Sequence, residues 1–369
     1  MTAAACRDLE KRVIKENLCT LCGACTGLCP YLVAHRGRIV LRDECSLPHG
    51  RCRSFCPRLS VDLEEIHKAT FGVPCAGGSL GNVLEVLKAR STDGAIRSKA
   101  QYGGAVTALM SFAMKEGFID SSVLTRGILP EGICAGSEKQ VLECAGSTYI
   151  AAPVIGVFNA AVREGRGKKI GVVGTPCQIL ALAKMRTAQE NRDAAENLSL
   201  TLGLFCTWAL SYDELIRFLE ERVPLSEIAR LDIPPPPANL FEIFTTSGRI
   251  SVPLDEVRRF IRPACAYCID MTAEFADISV GAAEGIDGWN TVIVRSPKGA
   301  ELLRKAITAG VLEAEALPER NIEHLKEASL LKKKRGLENI VERTGKASDL
   351  LYIEGSSALV KEEENRGPH

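Results

Sequence analysis

Lys168–Met185, KKIGVVGTPCQILALAKM, carries the clearest sign of a fold class. Ile170–Gly174 is a short apolar run, the signature of a strand buried on both faces. Thr175 then suits a helix N-cap and Pro176 the first helical position. Gln178 stands at capping-box spacing from Thr175. The stretch therefore predicts a buried strand, a tight turn and a helix, the unit of an α/β domain. Leu198–Cys206, LSLTLGLFC, predicts a second buried strand ending at Cys206. Strand carboxyl ends of an open α/β sheet converge on one edge, where sites form. Cys177 and Cys206 are both placed on such an edge.

Outward from there, Gly103–Asp120, GGAVTALMSFAMKEGFID, predicts a helix with Val106, Leu109, Met110 and Ala113 at 3–4 spacing and Gly117 as its stop. Leu231–Leu254 predicts a proline-rich connection and a hairpin. Ala276–Ser296 predicts two more strands joined by a glycine-rich loop, and after Pro297 the chain is expected to be helical and charged. Together these segments predict an α/β (α+β) domain with a mixed sheet over residues 84–345, preceded by a linker at 70–83 and followed by a tail at 346–369. The end of that tail, VKEEENRGPH, has a disordered composition.

The chain has 15 cysteines but only 5 histidines, which points to thiolate ligation rather than histidine-based metal catalysis. The formal net charge is +0, which gives no reason to expect nucleic-acid binding. No apolar run reaches the roughly 18–20 residues of a membrane helix. The first residues lack the apolar core of a secretory signal, so a cytoplasmic location is expected. In that compartment cysteines serve metals and redox chemistry more often than disulfides.

Residues 1–69 form a small cysteine-rich module. Cys19-x2-Cys22-x2-Cys25-x3-Cys29-Pro has the spacing of a bacterial two-cluster ferredoxin, in which the fourth cysteine reaches across to the other cluster. The partner motif is Cys45-x6-Cys52-x3-Cys56-Pro, where Ser46 and His49 occupy positions normally held by cysteine. Cross-ligation assigns Cys19, Cys22, Cys25 and Cys56 to one [4Fe–4S] cluster. The other receives Cys29, Cys45 and Cys52, with Cys75, His49 or no residue in the fourth place; the last case corresponds to a 3Fe–4S cluster. Further on, Arg262–Asp270, RPACAYCID, carries the pair Cys265 and Cys268. With Cys177 and Cys206 it makes four sulfurs, which suit an iron–sulfur cluster, a zinc ion or separate places in a core.

Several ordered blocks, ARSTDGAIRSKAQYGGAVTALM (89–110), GTPCQ, GLFC, CAYCIDMTAEFADISVG (265–281) and DGWNTVIVRS (287–296), resemble the β subunits of coenzyme F420-reducing hydrogenase and F420H2 dehydrogenases. That resemblance implies a flavin-binding domain in which Cys177, Cys206, Cys265 and Cys268 hold one [4Fe–4S] cluster beside FAD, for three clusters in all. It implies a flavin against Gly103, Gly104 and Thr107, with Gly146, Ser147, Tyr149 and Thr175 nearby. It implies an electron-transfer subunit in which FAD exchanges a hydride with F420 or NAD(P)H and the clusters serve a partner complex such as a hydrogenase, formate dehydrogenase or heterodisulfide reductase. A ferredoxin-dependent reductase of an organic substrate and a flavin-free relay or assembly subunit are the alternatives. No GxGxxG fingerprint follows a strand, so an ordinary Rossmann unit is not expected. Tyr102 and Glu284 depart from the family pattern, and Asp270, Glu274 and Asp277 flank the cysteine pair, where they tune the site, hydrogen-bond the flavin, or serve as helix-surface or loop-capping residues. No catalytic acid–base apparatus is evident.

Overall fold

The structure is a computed structural model that describes residues 5–75, 77–165, 168–188, 196–346 and 348–354. The segment read as a disordered end, 360–369, lies outside them.

Eight strands make the central sheet: β1 (Glu85–Ser91), β2 (Ser121–Arg126), β3 (Glu131–Ala135), β4 (Ile170–Gly174), β5 (Leu198–Leu204), β6 (Ile278–Ala282), β7 (Asn290–Val294) and β8 (Leu312–Ala316). Their order is β8-β1-β7-β6-β5-β4-β2-β3. The inner neighbours β2, β4, β5 and β6 run parallel, and the remaining pairings are antiparallel. Every residue of β4 and β7 is buried, as expected for strands covered on both faces. Val172 and Val173 are adjacent in β4 yet belong to separate cores, because successive side chains point to opposite faces. One core holds the helices Val154–Arg163 and Pro176–Thr187. The other holds Ala105–Lys115 and Pro297–Thr308.

The α/β reading of KKIGVVGTPCQILALAKM agrees with this sheet. The region after Pro297 differs from expectation, because it contains the edge strand β8 between two helices. Leu312-Glu-Ala-Glu-Ala316 alternates at strand period. Glu313 and Glu315 pair across to Arg90 (2.7 Å) and Lys88 (2.6 Å) on β1, and those charges hold the register. The hairpin Leu240–Thr245/Gly248–Pro253 also gains a third strand, Ile228–Asp232.

The N-terminal module lies against the helix Val154–Arg163 at very close range. A Cβ on Gly23 would stand 2.4 Å from the Pro153 carbonyl oxygen, and one on Gly27 2.5 Å from that of Gly156. Ile155 N donates to Cys22 O (3.1 Å), and Asn159 Nδ2 donates to the carbonyls of Ala24 (3.1 Å) and Thr26 (2.8 Å). Phe55, Val61, Leu63 and Ile66 join the core under that helix. Ser79, Leu80 and Asn82, in the stretch expected to be a linker, are tied down in turn. Ser329 Oγ donates to Ser79 O (2.6 Å), and the buried Arg295 guanidinium donates to the carbonyls of Leu80 and Asn82.

Candidate functional site

The parallel register pairs Gly174 with Gly203 and Leu204 with Val280. The chain therefore leaves β4 and β5 at one edge, carrying Cys177 and Cys206. At β4 the Gln178 side-chain oxygen Oε1 accepts from Thr175 N (2.8 Å), and Thr175 Oγ1 lies 3.4 Å from Cys177 Sγ. The turn Pro263–Tyr267 brings the other pair to the same edge. Arg262 N donates to Ala209 O (2.9 Å), Cys206 N to Met271 O (2.9 Å), and Ala209 N to Cys265 Sγ (3.4 Å).

The four sulfurs interact electrostatically. Burial pushes the Cys206 thiol up; Lys332 opposes this, while Cys265, Cys177 and Cys268 add to it. At Cys268 burial also acts upward, but Lys332 and Arg58 outweigh it and the thiol falls below its ordinary value. Both cations are buried. Arg58 donates to the carbonyls of Ala264 and Tyr267 (both 3.1 Å) and lies 4.3 Å from the Tyr352 ring centre. Neither Lys332 nor Arg58 carries a local motif, and no sequence signal singled them out.

In the N-terminal module burial pushes Cys22 and Cys25 well above the ordinary thiol value, and nearby thiolates raise them further. Cys56 is pushed up to about 12, chiefly by burial. Cys19, Cys22, Cys25 and Cys56 thus form one interacting group, which also feels Cys177. Cys52 is pushed up to about 11 by burial, with Cys29 the first of its thiolate neighbours. Cys75 does not join that second group, and His49 is an exposed residue of the loop between Cys45 and Cys52. Cys75 packs on the central core near Glu274 and Lys333.

Among the described residues, no three cysteine, histidine or acidic side chains are grouped to hold a single metal ion. A tetrahedral ion with metal–sulfur bonds of about 2.3 Å needs its sulfurs within about 4 Å of one another. A cubane binds each thiolate through a separate iron and so accepts a wider set.

Beside Cys177 and Cys206 opens a cleft of ≈ 780 Å³, within the usual range of about 300–1,000 Å³ for small-molecule sites. Gly104, Thr107, Gly146, Ser147, Tyr149 and Thr175 all line it. Gly103 does not. It is wedged against the sheet, where a Cβ would lie 2.8 Å from Ala89 O and 2.9 Å from Asn290 Oδ1. Gly104 precedes the helix Ala105–Lys115 at φ +74°, a conformation that favours glycine. Gly104 has no side chain to cap the helix, and Asn290 of β7 takes that role by accepting from Ala105 N at 3.1 Å. The Tyr149 hydroxyl accepts from Ile233 N (2.9 Å) and Gln101 Nε2 (2.6 Å). Burial and then Asp232 push its pKa up, so it stays protonated. Thr148 Oγ1 is buried in the cleft wall without a partner.

Both departures from the family pattern also line the cleft. Tyr102 is pushed up to about 12 by burial and then by Asp232 and Glu284. Glu284 Oε2 lies 2.7 Å from His324 Nε2. The acidic residues after Cys268 tie loops together. Asp270 accepts from Glu274 N (2.9 Å), Asp277 from Thr201 N and Oγ1 (both 2.8 Å), and Glu274 pairs with Lys333 at 3.3 Å.

Two sequence models match along this domain: coenzyme F420 hydrogenase/dehydrogenase β subunit N-terminus over residues 86–159, and the C terminus of the same subunit over residues 167–320. The coenzyme F420 hydrogenase subunit β of Methanothermobacter thermautotrophicus is 32% identical over 72% of this chain and 96% of its own. The chain belongs to the coenzyme F420 hydrogenase/dehydrogenase β-subunit family. A second relative, one of the chains of the F(420)H(2) dehydrogenase of Methanosarcina mazei, is 29% identical over 78% of this chain and 82% of its own. In three dimensions the chain is similar to one in the F420-reducing [NiFe] hydrogenase complex from Methanosarcina barkeri, with a TM-score of 0.66, 30% identity, and coverage of 72% and 94%. The family matches contain the cleft residues from Gly104 to Tyr149 and all four of Cys177, Cys206, Cys265 and Cys268. They begin after the N-terminal cysteine module.

Proposed function

We propose that this β-subunit relative is an iron–sulfur flavoprotein that moves electrons between an organic hydride carrier, F420 or NAD(P)H, and a partner redox enzyme. The observation that carries the reading is that Cys177 and Cys206 line the same cleft as the Gly104 helix start and the Gly146–Tyr149 loop. The residues present fit the two cofactor types. The cleft has the volume for a large ligand, an unpartnered buried hydroxyl at Thr148 and a helix N-terminus suited to a phosphate. The sulfur sets offer thiols that interact with one another electrostatically, the donor type that an iron–sulfur cluster takes. Bound FAD supplies the exchange of a hydride for two single electrons, and bound [4Fe–4S] clusters carry electrons one at a time.

This chain's residues then act as follows. The amides of Val106 and Thr107, which follow the Ala105 N–H that Asn290 caps, hold the anionic part of the flavin. Tyr149, fixed by Gln101 and Ile233, shapes the wall as a neutral hydrogen-bonding group. Cys177, Cys206, Cys265 and Cys268 hold a cluster at the cleft edge, and Lys332 and Arg58 offset its negative charge. Cys19, Cys22, Cys25 and Cys56 hold a second cluster, and Cys29, Cys45 and Cys52 contribute to a third. The docking of Gly23 and Gly27 on the helix Val154–Arg163 keeps the groups within one packed body. The long helix Glu319–Thr344 is charged, and among the described residues no helix is long and apolar enough to cross a membrane.

The test is an anaerobic titration of the purified protein with F420H2, NADH and NADPH, following flavin bleaching and iron–sulfur absorbance. Bleaching by one of these carriers, followed by cluster reduction, is expected. Released FAD with no bleaching by any of the three would remove the carrier reading. Iron and sulfide without FAD would favour a flavin-free relay. In Cys265→Ala we expect the loss of one cluster's iron while the flavin stays bound.

A further inference from the structure

We propose that Cys6 is the fourth ligand of the second N-terminal cluster, completing the set begun by Cys29, Cys45 and Cys52. The inference rests on the reading above that these cysteines hold iron and sulfide. Spacing supplied three ligands and left Cys75, His49 or a vacant corner for the fourth. The structure places Cys75 on another core and His49 in solvent, and it places Cys6 against Cys45.

The helix Ala5–Leu9 folds back along the segment that carries Cys45 and Cys52, and four contacts fix its register. Ala5 N donates to Leu47 O at 2.9 Å. Arg7 pairs with Glu44 at 2.5 Å, and Asp8 pairs with Arg53 at 3.1 Å. Between them Cys45 N donates to Cys6 Sγ at 3.4 Å, and Cys6 Sγ lies 3.5 Å from Cys45 O. A Cβ on Gly50 would stand 3.4 Å from Ala5 Cβ and 3.5 Å from Cys52 Sγ, so the Cys52 loop and the Cys6 helix converge on one point.

A buried cysteine commonly acts as a small apolar side chain. Cys6 is 2% exposed, but its sulfur lies against the main chain of Cys45 and accepts the Cys45 N–H, the kind of hydrogen bond that cluster thiolates receive. Ligation forms one Fe–S bond at Cys6 and releases its thiol proton to solvent, as thiolate ligation requires. The surface ion pairs are individually weak. Their role is to set the register that presents the thiol.

The test is iron and sulfide analysis with low-temperature EPR on the anaerobically prepared full chain. Wild type is compared with Cys6→Ala, and with Cys75→Ala and His49→Ala as controls. In Cys6→Ala we expect the loss of one iron per chain and a three-iron signal absent from wild type, or the loss of one cluster. FAD content and the remaining cluster signals should be unchanged, which reports an intact fold. The two controls should match wild type. Unchanged iron and EPR in Cys6→Ala, or one of those losses in Cys75→Ala or His49→Ala, overturns the assignment. A wild type that carries iron only at the Cys177 site would instead sink the reading of the N-terminal module. If Cys6→Ala does not fold, Cys6→Asp keeps an iron-binding oxygen; an EPR signature shifted from wild type supports the assignment, and an identical one overturns it.

Discussion

Lys332 Nζ, on the helix Glu319–Thr344, donates to the main-chain carbonyl of Cys206 at 2.5 Å. Burial acts against this ammonium, but the facing Cys268 and Cys206 thiolates outweigh it and hold its pKa above the ordinary lysine value. A fixed positive charge beside four thiolates stabilises added electrons. Lys332→Met keeps the side-chain length and removes the charge. The potential of the cluster proposed at these cysteines should fall by tens of millivolts, since about 1.4 kcal/mol corresponds to ~59 mV for one electron. A redox titration followed by EPR measures the shift, and an unchanged potential would mean that the charge is screened.

Glu284 places a carboxylate in the cleft, 2.7 Å from His324. Removing it should favour anionic carriers. Exposed charge interactions are worth about 0.2–1 kcal/mol, so Glu284→Gln should lower the KM for an anionic hydride carrier by roughly 1.4- to 5-fold with kcat little changed. The effect should shrink in high salt. Steady-state kinetics at two ionic strengths checks it.

Gly156 lies where helix and cysteine module meet, and a Cβ there would stand 2.1 Å from Thr26 Oγ1. Gly156→Ala should therefore destabilise the protein by about 1–3 kcal/mol despite the better helix propensity of alanine. The double variant Gly156→Ala/Thr26→Ala should recover much of the loss. Thermal melting and limited proteolysis near residues 19–29 compare the three proteins.

Lys184 donates to the carbonyls of Cys56 and Leu59 from a buried position, and burial lowers its pKa to about 8 from the ordinary 10.5. Between pH 8 and 10.5 the folded state therefore binds fewer protons at this site than the unfolded state, so the site's contribution to stability rises with pH across that window. The total is at most about 3 kcal/mol, at 1.36 kcal/mol per pKa unit. In Lys184→Met this rise should be absent. Melting temperatures of both proteins at about pH 7.5 and above about pH 9 provide the comparison.

Local features could be read directly from the residues. The box around Thr175 and Gln178, the apolar run of β4 and the cysteine spacing from Cys19 to Cys29 each depend on neighbours within a few residues. Capping, strand period and metal spacing are short-range rules. The convergence of Cys177 with Cys206 was also legible, because parallel strands deliver their carboxyl ends to one edge.

The remaining contacts exist only in the folded chain. Cys6 meets Cys45 across 39 residues, Lys332 meets Cys206 across 126, Asn290 caps the Ala105 helix across 185, and Arg58 reaches Ala264 across 206. None of these partners shares a period or a motif with its target. Gly103 and Gly104 make the same point at adjacent positions. One is pressed into the sheet and the other opens on the cleft, because the chain turns between them and the packing of β1 and β7 sets which one faces inward.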